Sequence, residues 1–382
     1  SRGAWAALAA ASGLLILWWL AGLLSRDRPD RRRLIVLEGL FLIGSLALIV
    51  VILQPDLPAR LLASLPRIAG GSTRLELMRN SLALIQDYPF IGSGLNGFLM
   101  LYATYAFLTH VGFIIHAHNF YLDVAIEQGL FALLALGWMW ALFALALWRK
   151  SAGGKLQPWV IAAALALVTI LVHGLVEDAF YGSRALMLLF LPLAFTIPYP
   201  RPSAAMSPTS PKFILLTIAA GAFLILLVIL WRPLQGAAVS NLAAIRQSRA
   251  ELSQYSYPEW PIQDALRREI DLSEVIEGYE RALSINPNNV SANRRLGQIE
   301  LSLGEYEAAL GHLESAYAGA SWDNTARQLY GEALIVNARF EEGASLWQQV
   351  NNKQGQLLAR ESWYKRIGDD ERLANIRAAK GN

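Results

Sequence analysis

Between Gly71 and Gly129 the chain gathers Arg74, Arg79, His110, His116, His118, Asp123 and Glu127. Side chains of these types can ligate a metal, activate a nucleophile, grip a phosphate or move a proton. His116 and His118 stand two apart, which suits an extended segment better than one helical face, and no His-Glu-x-x-His pattern accompanies them, so no metal site is expected. Ser93 is flanked as Gly92-Ser93-Gly94 rather than Gly-x-Ser-x-Gly, which argues against a serine hydrolase. Gly92, Gly94 and Gly97 imitate a dinucleotide fingerprint without the strand and βαβ unit it requires, and read instead as a tight turn after Pro89. What remains is an anion site beside a base. Arg keeps its charge at any accessible pH and its fork of donors matches phosphate oxygens. A neutral imidazole can accept a proton from a hydroxyl. Together these groups suit transfer from a lipid diphosphate.

The elements that must position them are membrane helices. The chain has 382 residues, 54% of them hydrophobic and only 16% charged, with a mean hydropathy of +0.35. That excludes a disordered chain and an ordinary water-soluble protein. Clear apolar runs occur at Ala4 to Leu24, Leu34 to Leu53, Val124 to Trp148 and Phe213 to Trp231, with weaker ones at Trp159 to Val176 and Ala185 to Ile197. A span takes about 20 residues, so about six spans are expected within residues 1–231. Arg26, Arg28, Arg31, Arg32, Arg33, then Arg149, Lys150 and Lys155, then Arg201 and Lys212 fall on one side, which marks it as cytoplasmic. The loop 54–119 carrying the candidate site, and everything after Trp231, then face outward. Phe98 to Ile115 is read as a helix lying at the interface. With no Cys, thiol nucleophiles and thiolate metal sites are excluded. The net charge of +3 divides as 16 Lys/Arg against 10 Asp/Glu in residues 1–231 and 17 against 20 afterwards, so the basic balance belongs to the membrane half and no nucleic-acid partner is expected.

Beyond a linker or helix at 232–254, residues 255–382 repeat themselves. A shift of 34 residues aligns Ile262, Leu296 and Tyr330; Leu272, Tyr306 and Phe340; Tyr279, Leu313 and Trp347; and Ala282, Ala316 and Val350. That is the period and residue pattern of tetratricopeptide repeats, whose stacked helix pairs present a groove to a protein partner. The expected fold class is therefore all-α: a polytopic transmembrane helix bundle followed by a soluble α-solenoid.

The motifs combine into a recognisable set. Arg74, the helix that follows it, Pro89-Phe-Ile-Gly92-Ser-Gly94, His116-Ala-His118-Asn119 and Glu127-Gln-Gly129-Leu together resemble the shared region of the O-antigen ligase and polymerase superfamily, over about residues 71 to 200. Gln128 departs from the more usual Leu. Such proteins carry more spans than are counted here, and the chain opens Ser1-Arg2-Gly3, so a fragment lacking upstream helices is expected. The resemblance implies a metal-independent, cofactor-free glycosyltransferase of the cytoplasmic membrane, with its repeats periplasmic or extracellular. It would move a glycan from undecaprenyl diphosphate to a hydroxyl on a glycan, lipid or protein acceptor. Polysaccharide polymerase and protein O-oligosaccharyltransferase remain as alternatives, and a catalytically idle anchor displaying the repeats is a reading of another class. By the resemblance, Arg74 binds diphosphate and His118 is the base, with His116 in the preceding, more variable position and Asn119 beside them. Arg79 is a second diphosphate candidate, although five helical residues, roughly 500° of rotation, turn it to a different face from Arg74. Glu127 either orients the imidazole or steadies a helix. Arg184, in a second polar cluster with His173, Glu177, Asp178 and Tyr181, is a further phosphate candidate.

Overall fold

A computed structural model of the chain describes residues 2–25, 28–53, 74–106, 108, 114–152, 157–177, 190, 217–218, 221–222, 225–226, 228–254, 263–350 and 353–381. Among these residues every regular element is a helix, as an all-α class requires. The chain divides into two compact units. One comprises Ser1–Met78, Gly94–Phe98 and Ile114–Pro202; the other comprises Arg79–Ser93, Leu99–Phe113 and Ser203–Asn382. Two short stretches before His116, Arg79–Ser93 and Leu99–Phe113, thus group with the C-terminal helices.

The first unit contains α1 (Arg2–Leu24), α2 (Pro29–Leu53), the first turn of α3 (Arg74–Ile85), the start of α4 (Phe98–Ala106), α5 (Phe120–Ala152) and α6 (Pro158–His173). α1 packs on α6 and on α2. At the turn between α1 and α2, Arg32 reaches back to the Trp18 carbonyl from Nε (3.1 Å) and Nη2 (3.0 Å) and lies 4.3 Å over the Trp18 ring. Gly3–Leu24 and Phe120–Arg149 are long and apolar enough to cross a membrane, and only 17% and 6% of their most apolar windows is buried. A water-soluble core helix would bury that surface. Trp5, Phe41, Leu134 and Trp138 all stand exposed, and leaving each in water forgoes about 1.5–3 kcal/mol. Leu34–Ser45 and Pro158–His173 are shorter apolar helices. The expected spans at Ala185 to Ile197 and Phe213 to Trp231 fall partly outside the described residues.

In α5 the helical dihedrals break at Gly129 (φ 82°, ψ 170°). Glycine alone adopts this conformation without strain. The break releases the Glu127 carbonyl, which accepts from Gly94 N–H at 3.0 Å. Gly92 (φ 71°) and Gly94 (φ 101°) build the expected turn after Pro89.

The second unit is built from helices paired through short turns. α7 (Trp231–Ser253) packs on α9 (Ser273–Ile285), with α8 (Gln263–Glu269) between them in sequence; the segment expected as a linker or helix is thus a packed helix. α10 (Val290–Leu303) pairs with α11 (Tyr306–Gly319), α12 (Asn324–Val336) with α13 (Phe340–Trp347), and α14 (Lys353–Arg366) with α15 (Asp370–Gly381). α10 and α12 begin 34 residues apart, as do α11 and α13. Tyr279, Leu313 and Trp347, equivalent under that shift, are all buried. Gly297 and Gly331 are also equivalent: a Cβ on the first would lie 2.6 Å from Leu313 Cγ and on the second 2.3 Å from Trp347 Cδ1. Absent side chains at these positions let the paired helices close.

α4 corrects one expectation. The sequence places a helix at the interface over Phe98 to Ile115; among the described residues the helix spans Phe98–Ala106, and Leu101, Tyr102, Ala103 and Tyr105 are buried in protein. Asn80 Nδ2 donates to Tyr102 Oη (3.0 Å), and Tyr105 Oη donates to Asp323 Oδ2 (2.6 Å).

Candidate functional site

His116, Ala117, His118 and Asn119 form the non-helical approach to α5, and its residues are fixed by backbone demand. Asn119 Oδ1 accepts from the N–H groups of Tyr121 (3.0 Å) and Leu122 (3.1 Å), satisfying donors that an unfinished first turn leaves open. Its Nδ2 donates to the Leu175 carbonyl at 2.9 Å, tying this segment to the end of α6. Phe120 N–H donates to Gly174 O (2.8 Å) and Tyr121 Oη to Leu171 O (2.8 Å), strengthening the same seam. Asp123 turns back to accept from Ala117 N–H at 2.8 Å. The segment between them is thus held at both ends, which sustains His118 at φ 50°, a conformation costly for a residue with a Cβ.

That strain points the two imidazoles at one carboxylate. Glu177 Oε1 lies 2.7 Å from His118 Nδ1 and 4.0 Å from His116 Nε2, and the two rings are 4.2 Å apart. A carboxylate only accepts, so the proton of neutral His118 sits on Nδ1 and the lone pair on Nε2. Arg74, the first residue of α3, donates from Nη1 to the Val176 carbonyl, and its Nη2 stands 3.6 Å from Glu177 Oε2. Among the described residues, its buried Nε makes no hydrogen bond. A buried guanidinium donor left open costs free energy unless a ligand takes it.

The structure thus brings Arg74, His116 and His118 together around Glu177, a residue that the sequence reading left in a separate cluster. Asn119 belongs to the same assembly as its backbone anchor. Glu127 accepts from Phe98 N–H at 3.2 Å, at the first turn of α4, and so steadies a helix start. Arg79 is exposed on α3. Arg184 and His110, with Asp178 and Tyr181, lie outside the described residues. His116, His118 and Glu177 offer ligand atoms within 4.8 Å of one another, a possible metal trio that spacing in the sequence did not announce.

The comparison that bears on this arrangement is a family model. The O-antigen ligase model matches residues 1–137. That span contains Arg74, His116, His118, Asn119 and Glu127, and stops short of Glu177. Residues 1–137 are therefore similar to the O-antigen ligase superfamily, which suggests a membrane glycan ligase or polymerase. No curated protein matches the chain.

Proposed function

We propose that the protein is a membrane glycan ligase that transfers a glycan from undecaprenyl diphosphate to an acceptor hydroxyl on the outer side of the cytoplasmic membrane. The observation that carries this reading is the single cluster of Arg74, His118 and Glu177. Arg74 binds the diphosphate through its open Nε and offsets the charge that grows on it as it leaves. His118 Nε2 takes the acceptor proton while Glu177 holds the opposite nitrogen as the donor, fixing tautomer and ring orientation together. The acceptor oxygen attacks the anomeric carbon, the bond from that carbon to the diphosphate oxygen breaks, and the configuration inverts. The products are the glycoside, the lipid diphosphate and one proton left on His118, later released to water. No metal or cofactor enters these steps. His116 packs against the base, and Arg184 is a further phosphate contact in this reading.

The multi-pass topology, with site and C-terminal helices outward, follows from the positions of the short-loop cations. The 34-residue recurrence of helix starts and buried positions supports tetratricopeptide repeats in the C-terminal region. A polymerase or protein oligosaccharyltransferase would use the same cluster with another acceptor; the helical repeats favour a protein partner or acceptor. An idle anchor for the repeats is the contrasting reading.

Purified protein reconstituted with a polyprenyl-diphosphate glycan and candidate acceptors tests the proposal, with products read by mass spectrometry. The expected result is loss of glycan from the carrier, a glycosylated acceptor, inverted configuration at the new bond, and turnover undiminished by EDTA. An intact carrier with every acceptor class would favour the anchor.

A further inference from the structure

We propose that His116, His118 and Glu177 form a binding site for a divalent transition-metal ion of the zinc type, and that its occupation switches the transferase off. The ligand set is two imidazoles and one carboxylate, the donors that such ions prefer. Zinc–nitrogen and zinc–oxygen bonds of about 2.0–2.2 Å, at tetrahedral angles, place ligand atoms about 3.3 Å apart. The separations here straddle that value: 2.7 Å from His118 Nδ1 to Glu177 Oε1, 4.0 Å from His116 Nε2 to the same oxygen, and none beyond 4.8 Å. Rotations that move each side chain by less than about 1 Å would complete three ligands, leaving a fourth position for water. The three side chains keep roughly a fifth of their surface exposed, so an ion can reach them from solvent. Among the described residues the cation beside them is Arg74, and its bond to the Val176 carbonyl gives it a second anchor when Glu177 turns to the metal.

Inhibition follows from which nitrogen is taken. The ion displaces the proton on His118 Nδ1 and inserts where the hydrogen bond to Glu177 stood. In the neutral ring that proton then resides on Nε2, the atom required to be bare for accepting the acceptor hydroxyl's proton. No proton is lost overall, no bond to substrate is needed, and the base is gone. This consequence rests on the transferase reading; binding of the ion does not.

The test titrates cobalt chloride into the full-length, detergent-solubilised protein and follows the visible absorption of tetrahedral Co²⁺. One saturable equivalent that zinc chloride displaces is expected. His116→Ala and Glu177→Gln, each checked by thermal melt, should weaken uptake at least tenfold, since removing a ligand costs no less than the roughly 10–100-fold of an outer-shell change. A measurement on the unaltered chain covers variants that fail to fold: diethylpyrocarbonate labelling of His116 and His118, mapped by mass spectrometry, should be suppressed by zinc. Absence of tetrahedral absorption, uptake unchanged in both folded variants, or labelling unaffected by zinc would each overturn the site. In the transfer assay zinc should lower kcat reversibly, with recovery on adding EDTA; bound metal with undiminished turnover would overturn the switch. A protein that binds cobalt but transfers no glycan even with metal removed would defeat the transferase reading and leave the site standing.

Discussion

At the scale of single residues, Glu177 decides whether His118 is a base or merely a polar neighbour. Glu177→Gln replaces an obligate acceptor with an amide able to donate to Nδ1, which would put the ring proton on the wrong nitrogen. Turnover should fall on the order of 10²-fold or more with little change in KM, and Glu177→Asp should recover part of it; steady-state kinetics of both variants checks this. Arg74 and the two histidines were legible because a fixed charge and an imidazole beside apolar sequence demand a reason. Glu177 was visible only as a polar residue at the end of an apolar run, since its bond to His118 joins positions 59 apart and no spacing rule spans that gap. Asp87 was less legible still. It reads as an ordinary turn residue before Pro89, yet it is buried, accepting from Ser291 Oγ, Arg294 Nη2 and Arg295 Nε (2.9 Å). Burial alone would raise its pKa, but the two guanidinium groups outweigh that and hold it below the usual carboxylate range. Asp87→Ala would strand two buried cations at a cost of about 3–5 kcal/mol. Hydrogen exchange across α10 should rise accordingly, and unchanged protection would contradict this assignment.

Among the elements, helix existence was legible from periodicity, while packing partners and breaks were not. The shift of 34 residues matches the spacing of the paired C-terminal helices, whereas the close approach at Gly331 shows only in their packing. Gly331→Ala should cost about 1–3 kcal/mol by overpacking against Trp347, measured as a lowered melting temperature. Apolarity alone could not tell α4 from an interfacial helix, because tyrosines suit a membrane surface and a protein core equally. The buried hydroxyl contacts of Tyr102 and Tyr105 settle it, and they join residues 22 and 218 positions apart. The break inside α5 was hidden for another reason: Gly129 in an apolar run is compatible with a continuous span, and only its positive φ shows the carbonyl of Glu127 freed for the glycine turn.

The whole molecule joins two kinds of stability. Exposed apolar helices in the first unit predict that the chain stays with membranes under alkaline carbonate and is released by detergent; release by carbonate alone would contradict lipid contact. The second unit instead relies on buried ion pairs. In one, burial would raise the Asp264 carboxyl, but Arg360 at 2.9 Å, with help from Arg267 and Ser302, brings it down to about 2. A carboxyl lowered by folding stabilises fully above its unfolded pKa and loses that contribution as pH falls through the folded one. Asp87 and Glu251 are lowered likewise. These three should therefore lower the unfolding temperature of this unit between about pH 5 and pH 2, partly offset by Asp323 and Glu332, whose carboxyls burial raises. Asp264→Asn should flatten the drop by the equivalent of about 2 kcal/mol, while lowering stability at neutral pH because Arg360 loses a partner. His312 has the opposite sign. Its hydrogen bond to Glu300 raises its pKa, so its contribution is present below the ordinary imidazole range and fades as pH rises through the raised value. Net charge and composition announced a membrane half and a soluble half, but not the buried charge layer, whose members look like surface residues until the helices are stacked.

The most direct measurement is glycan transfer by liposome-reconstituted Arg74→Ala and His118→Ala, each shown by thermal melt to be folded. Loss of at least about 10²-fold in turnover for both variants is predicted, because each removes a group acting on the reacting atoms. Transfer at the unaltered rate by either folded variant would contradict the central assignment.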